Sequence, residues 1–361
     1  MRRLALLIPL ILLTTSTIWA MESSNEMILL KRENPAVWST SYGNLYTFTP
    51  GDAAPKRLTT LGNISAPALS PDGKTIAYAA IAENIITEAV NGNYTFDIDR
   101  DDPTDIWIMN FATHEFKQLT NVSTPNTSVY RSSPVWSPDS QQLAWFTWDS
   151  STQGGSVIVY DLKAGKERLL ASNLSMNKDD SGAFTLPNLV GWGTEIAHTV
   201  FRPTDDQGDL WLETVDLAGN IHQRAIAHTD YLPRVQWVQY QNSWWVAAQN
   251  MQDQWQLIQS ETGTQTDAKN PPILQLSNGE GAKLKPVSSG WEILAANGDI
   301  VPIPYESSAD ISPDGQSVVY LRERKAFLWR EGQTIVPLLP AKAADWEIIT
   351  VLWSPMIWVA S

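Results

Sequence analysis

The sequence predicts an all-β fold, a closed β-propeller of four-stranded antiparallel blades. Three observations lead there. A strand–turn–strand pattern recurs three times, a second hairpin follows each copy, and the strand-like segments at the two ends of the chain complement one another.

The repeated pattern is seen in Ala66-Pro67-Ala68-Leu69-Ser70-Pro71-Asp72-Gly73-Lys74-Thr75-Ile76-Ala77-Tyr78, in Ser133 to Trp145 and in Ala309 to Tyr320. Within Ser-Pro-Asp-Gly, Pro presets φ for a turn, Asp can bond its own backbone, and Gly accepts the positive φ that closes a short hairpin. The flanking segments alternate and are rich in β-branched and aromatic residues, with Ala where a neighbouring sheet must come close. The second hairpins are Asp105 to Asn110 with Phe116 to Thr120, Ser156 to Asp161 with Glu167 to Leu170, and Ala326 to Trp329 with Thr334 to Leu338.

Weaker copies begin at Pro187 and Pro233 and lack the Pro-Asp turn. The second of these runs through Trp244 to Ala247 and Trp255 to Ile258 to a fourth strand at Ile273 to Leu276. Four strands recurring every 40 to 50 residues or so is the spacing of propeller blades. No helical periodicity stands out. Thr350 to Ala360 reads as the first two strands of a blade, whose third and fourth lie at Gly43 to Phe48 and Lys56 to Thr59. Their pairing would close the ring and remove its open edges. Lys283 to Pro304 reads as a shortened module, so the expectation is seven modules, one incomplete, or six.

The run x-Pro-x-Trp/Leu-Ser-Pro-Asp-Gly/Ser, continued by Asp105-Ile106-Trp107-Ile108-Met109-Asn110 and Gln118-Leu119-Thr120, resembles the WD-like repeat of the TolB-type propeller family. It also resembles the propeller domains of prolyl-oligopeptidase-type peptidases. The likeness is close over residues 64–173 and 306–340 and thinner over 185–304. It implies a propeller used as a binding or scaffolding platform. Some oligogalacturonate lyases resemble this repeat family as well, and for them the resemblance implies a divalent metal held by several histidines in the channel.

Composition narrows the chemistry. The chain has 361 residues, 25 Lys+Arg against 39 Asp+Glu, and no Cys. A formal charge of −14 opposes nucleic-acid binding, which draws its affinity from cations displacing counterions. Without Cys there is no disulfide framework, thiol nucleophile or Cys-held metal. Met1-Arg2-Arg3, the apolar run Leu4 to Leu13 and the stretch up to Ala20 have the anatomy of a secretory signal peptide. The expected organisation is therefore a signal peptide at 1–20 and one propeller domain at 21–361. The protein would be exported to the periplasm, cell surface or medium, with no integral span after cleavage.

No catalytic, cofactor or metal constellation is legible. A Gly-x-Ser-x-Gly elbow is absent, as is His-Glu-x-x-His. Among the histidines, His114 falls in a hairpin loop, and His222 and His228 flank an outer strand; His198 is the fourth. All four are expected to be exposed or hydrogen-bonded turn residues. Asp97 to Asp105 loosely follows a calcium loop but lacks its Gly and its closing Glu, so it is expected to be a solvated acidic insertion.

Of the 17 Trp, residues 107, 136, 145, 211 and 329 fall at packing positions, whereas Trp148, Trp244, Trp245 and Trp255 are the ones expected at the surface, except that one of the adjacent Trp244 and Trp245 should point inward. The insertion Ala82 to Thr104 is the largest departure from the repeat and a candidate partner-contacting flap. The expectation is an exported, non-enzymatic TolB-like propeller without cofactor that binds a protein or glycan. The alternative is an exported hydrolase or lyase with a channel-lining active site.

Overall fold

The structure, a computed structural model, describes residues 26–33, 42–96, 103–121, 129–149, 154–178, 184–185, 188–203, 208–228, 235–249, 255–260, 273–276, 281–287, 290–304, 308–353 and 357–360. The three Ser-Pro-Asp turns are built alike. Ser70, Ser137 and Ser312 each donate a side-chain hydrogen bond to the Asp two residues on, at 2.6, 2.6 and 2.5 Å. Each hydroxyl also accepts the backbone N–H of the residue that opens the next strand, at 2.9 to 3.0 Å. Gly73 and Gly315 close their turns at φ +71° and +70°, and Ser140 does so at +61°. Ser140 has a use for its side chain: its Oγ accepts the N–H of Asp72 at 3.0 Å, tying one repeat's turn to the next.

These turns set up antiparallel runs. One comprises Ile64–Leu69, Thr75–Ile81, Thr104–Asn110 and Phe116–Gln118. The next is Val135–Trp136, together with Val129–Arg131, then Gln142–Asp149, Gly155–Asp161 and Lys166–Leu174. Then come Asn188–Trp192, Ile196–Pro203, Gly208–Val215 and Ile221–His228, followed by Val235–Tyr240, Ser243–Gln249 and Trp255–Ile258. Ala309–Ile311, Ser317–Arg322, Lys325–Arg330 and Val336–Pro337 form another. The fold is mostly β.

Successive runs pack face to face. Ala144, Phe146 and Val157 of one meet Trp192, Ile196 and Val215 of the next, and Ala197 and Leu212 meet Trp237 and Val246. Small residues let the sheets approach: Ala77 and Ala79 lie against Leu143 and Trp145. At Gly155 a Cβ would lie 1.9 Å from the Phe146 ring, so only Gly fits beneath it.

Three expectations about strand assignment are corrected. The C-terminal segment contributes one strand to the N-terminal sheet, in the order Ile348–Leu352, Met27–Arg32, Gly43–Phe48, Lys56–Arg57. The second place is taken by Met27–Arg32, which the sequence reading left out. Ile357–Ala360 instead pairs antiparallel with Ile273–Leu276 and parallel with Val235–Tyr240 at Gln239, joining two runs into one eight-stranded sheet. Ile273–Leu276 also pairs with Lys283–Val287 rather than ending the preceding run, so Lys283 to Pro304 belongs to a full four-stranded run with Gly290–Leu294 and Ile300–Pro304.

The link from Leu352 onward is anchored by the fully buried Asp310, whose Oδ2 accepts the N–H of Trp353 at 2.7 Å. Among the described residues one α-helix interrupts the β pattern: α1, Glu83–Val90, inside the insertion expected to be a flap. No helix among the described residues is long and apolar enough to cross a membrane.

Candidate functional site

The end of the Ile64–Leu69 run opposite its Ser-Pro-Asp-Gly turn carries a cleft of about 600 Å³. Helix α1 forms one side. Its adjacent Ile85 and Ile86 point the same way, toward Ile81, with Tyr42, Tyr94 and Phe96 packed around them. This apolar seat fixes an eight-residue helix that would not stand alone in water. The opposite face of α1 turns Glu83, Asn84, Thr87 and Glu88 to the cleft. Strands supply Asp105, Trp107 and Gln118, and loops supply Leu61, Asn63 and Asn121.

The floor is held by repeat chemistry. Thr120 Oγ1 donates to Asp105 Oδ1 at 2.9 Å and accepts the N–H of Ile106 at 2.9 Å. Asn44 and Thr59 make the same arrangement in the N-terminal sheet, at 3.1 and 2.9 Å. Asp105 thus occupies a position where the repeat also accepts a neutral amide. Its charge is offset by the buried Arg131, 3.8 Å away, whose Nη1 donates to Thr104 O at 2.9 Å. Burial pulls the Arg131 guanidinium below its usual range, and Asp105 works against that pull. Glu83 and Glu88 carry no cationic partner among the described residues; Glu88 accepts a hydrogen bond from Asn93 at 2.9 Å.

A second polar cluster lies between two runs. His198 Nε2 and Glu213 Oε2 are 2.7 Å apart and both side chains are fully buried. Glu213 Oε1 accepts the hydroxyl of Ser175 at 2.6 Å and also bonds Gln223 Nε2, while the N–H of Ser175 reaches Oε2 at 3.1 Å. Burial raises the Glu213 pKa, but the bonds from His198 and Ser175 outweigh it and bring it down to about 2. His198 meets the Phe146 ring edge-on at 5.4 Å, and its Nδ1 has no hydrogen-bond partner among the described residues. Ser175 bonds the Glu213 carboxylate rather than the imidazole, so the described contacts do not follow the serine–imidazole–carboxylate order of a nucleophilic triad, and the cluster clamps adjacent sheets.

This corrects the reading of His198 as an exposed or turn residue. His114 does sit in a turn, at φ +57°, with Glu26 at 3.7 Å, and the half-exposed His222 lies 3.9 Å from Glu195. The side chain of His228 is outside the described residues, as are residues 1–20 and 97–102, on which the signal-peptide and acidic-loop expectations fall. Trp136, Trp145 and Trp329 are buried and Trp107 and Trp211 half-buried. Trp255 is buried too, against expectation, and Trp148, Trp244 and Trp245 are half-buried, with Trp148 stacked on Tyr130 at 5.5 Å. Among the described residues no three metal-ligating side chains converge.

No family model matches the chain, and no curated protein matches it. Solved structures do. An oligogalacturonate lyase in complex with manganese is similar at 13% identity and a TM-score of 0.50, covering 83% of this chain and 84% of that one. TolB from Acinetobacter baumannii is similar at 15% identity and a TM-score of 0.39, covering 94% and 67%. The β-propeller domain of the Trilobed protease from Pyrococcus furiosus is similar at 12% identity and a TM-score of 0.44, covering 77% and 85%. The structural neighbours therefore include TolB and a peptidase propeller domain, as the repeat resemblance implied. At these identities the likeness concerns the fold.

Proposed function

We propose that the chain is an exported, non-enzymatic β-propeller of seven modules that binds a protein or glycan in the cleft beside α1. The observation that carries this reading is the cleft itself: a concave polar site of ligand size, built by an insertion on a rigid sheet. The antiparallel runs among the described residues support seven modules over six, with the run from Val235 to Ile258 having three strands. The pairing of Met27–Arg32 with Ile348–Leu352 supports a ring joined through its N-terminal sheet. The basic and apolar start of the sequence supports export, with residues 21–361 as the mature domain.

The test is a glycan-array and envelope pull-down comparison of the full chain with Thr87→Trp, which places an indole in the cleft from the exposed face of α1. Loss of a captured ligand on filling the cleft is the expected result. Capture unchanged by that variant and by deletion of the insertion would remove the cleft from the account.

A further inference from the structure

The lining of the cleft combines carboxylates, amides and an indole, and the inference from it rests on the reading of the cleft as the binding site. We propose that it takes an amino-sugar oligosaccharide, a glycan with protonated amines. Three features point that way. Trp107 offers an aromatic surface at the cleft wall, and sugar rings and cations both favour such surfaces. The side-chain amides of Gln118 and Asn84 stand beside the carboxylates, although Asn84 Oδ1 already accepts the N–H of Ile85 at 2.9 Å and the buried Asn63 donates to Ile81 O, and this mixture can bond sugar hydroxyls. Among the described residues the charge is one-sided: Asp105 is offset by Arg131, Glu83 and Glu88 have no cation beside them, and no Lys, Arg or His lines the cleft.

An anionic sugar such as a uronate would meet like charge in a partly enclosed space and on a chain of formal charge −14. An amino sugar would place its ammonium groups against Glu83 and Glu88 while its ring covers Trp107. Attraction of this kind weakens with salt, because both glutamates stand near solvent.

Calorimetric titration of the full chain checks the idea with three probes: glucosamine trimer at mildly acidic pH, its fully N-acetylated counterpart, and galacturonate trimer. The glucosamine trimer is expected to bind about tenfold or more tighter than the acetylated one, a difference of about 1.4 kcal/mol. The galacturonate trimer is expected to be weakest. Glu83→Gln with Glu88→Gln, both on the helix surface, should erase the preference, and added salt should reduce it. If the acetylated or galacturonate trimer binds as well as glucosamine and Thr87→Trp abolishes that binding, the cleft is a glycan site without the proposed selectivity. If glucosamine binds equally to wild type and Thr87→Trp, the cleft reading itself fails. Absence of binding by all three sugars overturns the amino-sugar proposal and leaves the cleft to the pull-down comparison.

Discussion

His198 and Glu213 face each other across neighbouring strands, Nε2 to Oε2 at 2.7 Å, with neither side chain reaching solvent. Because Ser175 directly follows Lys166–Leu174, the last strand of the preceding run, the carboxylate ties that run to its own as well as linking two strands. Its ionised form is what accepts these bonds, which gives the contact a pH dependence.

The folded pKa of Glu213, about 2, lies below the ordinary 4.5. Its contribution to stability is therefore fully present above the ordinary value and is lost as pH falls toward about 2. Wild type should lose roughly 2 to 3 kcal/mol through this one group over that interval. Urea denaturation across an acid pH series should show a shallower slope for Glu213→Gln, which is less stable at neutral pH.

Ser140 holds a positive φ and also accepts the N–H of Asp72. Ser140→Gly relieves the backbone and loses the bond, so its stability should stay within about 0.5 kcal/mol of wild type. Ser140→Ala keeps the unfavourable φ and loses the bond, and should be less stable by about 1 to 2 kcal/mol. Denaturation midpoints of the two variants separate these effects.

Asp139 carries a lowered pKa, chiefly because Ser137 donates to its carboxylate. Ser137→Ala should return it toward the ordinary 3.8, a rise visible by NMR titration, with a loss of about 1 kcal/mol in stability.

At Gly43 a Cβ would lie 2.0 Å from the carbonyl oxygen of Lys31, on the partner strand. Gly43→Ala should be destabilising by about 3 kcal/mol or more, because backbone rather than a side chain must move. Thermal melts check the size of the effect. Protection of the Met27–Arg32 amides in hydrogen exchange should fall with it.

Leu30 and Thr350 are register partners. With no native Cys to compete, Leu30→Cys combined with Thr350→Cys should form a single disulfide, read as a faster-migrating band on a non-reducing gel. A chain that remains reduced under oxidising conditions would contradict the pairing of these strands.

Much of this architecture was legible because it is local. The Ser-Pro-Asp turns and their positive-φ residues are written within a few residues of one another. Met27–Arg32 escaped because its apolar stretch MILL is buried on both faces and shows no alternation. Helix α1 escaped because eight residues are too few for periodicity, although the Ile85-Ile86 pair marked the face that seats it.

Ile357–Ala360 reads correctly as a strand, but nothing within it names its partner. Pairing with Ile273–Leu276 is a property of the assembled sheets. The same holds for His198 and Glu213, whose meeting depends on register, and for the cleft, whose lining comes from strands, helix and loops. Asp105 and the insertion that carries Glu83 could be named from sequence; their convergence could not.

The pairing of Met27–Arg32 with Ile348–Leu352 also governs how the molecule is made. A strand synthesised early must wait, with one edge bare, until more than three hundred further residues have emerged. During that interval the bare edge of an apolar strand is open to stray pairing. Any premature stop upstream of Ile348 would leave that edge uncovered permanently, favouring aggregates or proteolysis over a smaller working protein.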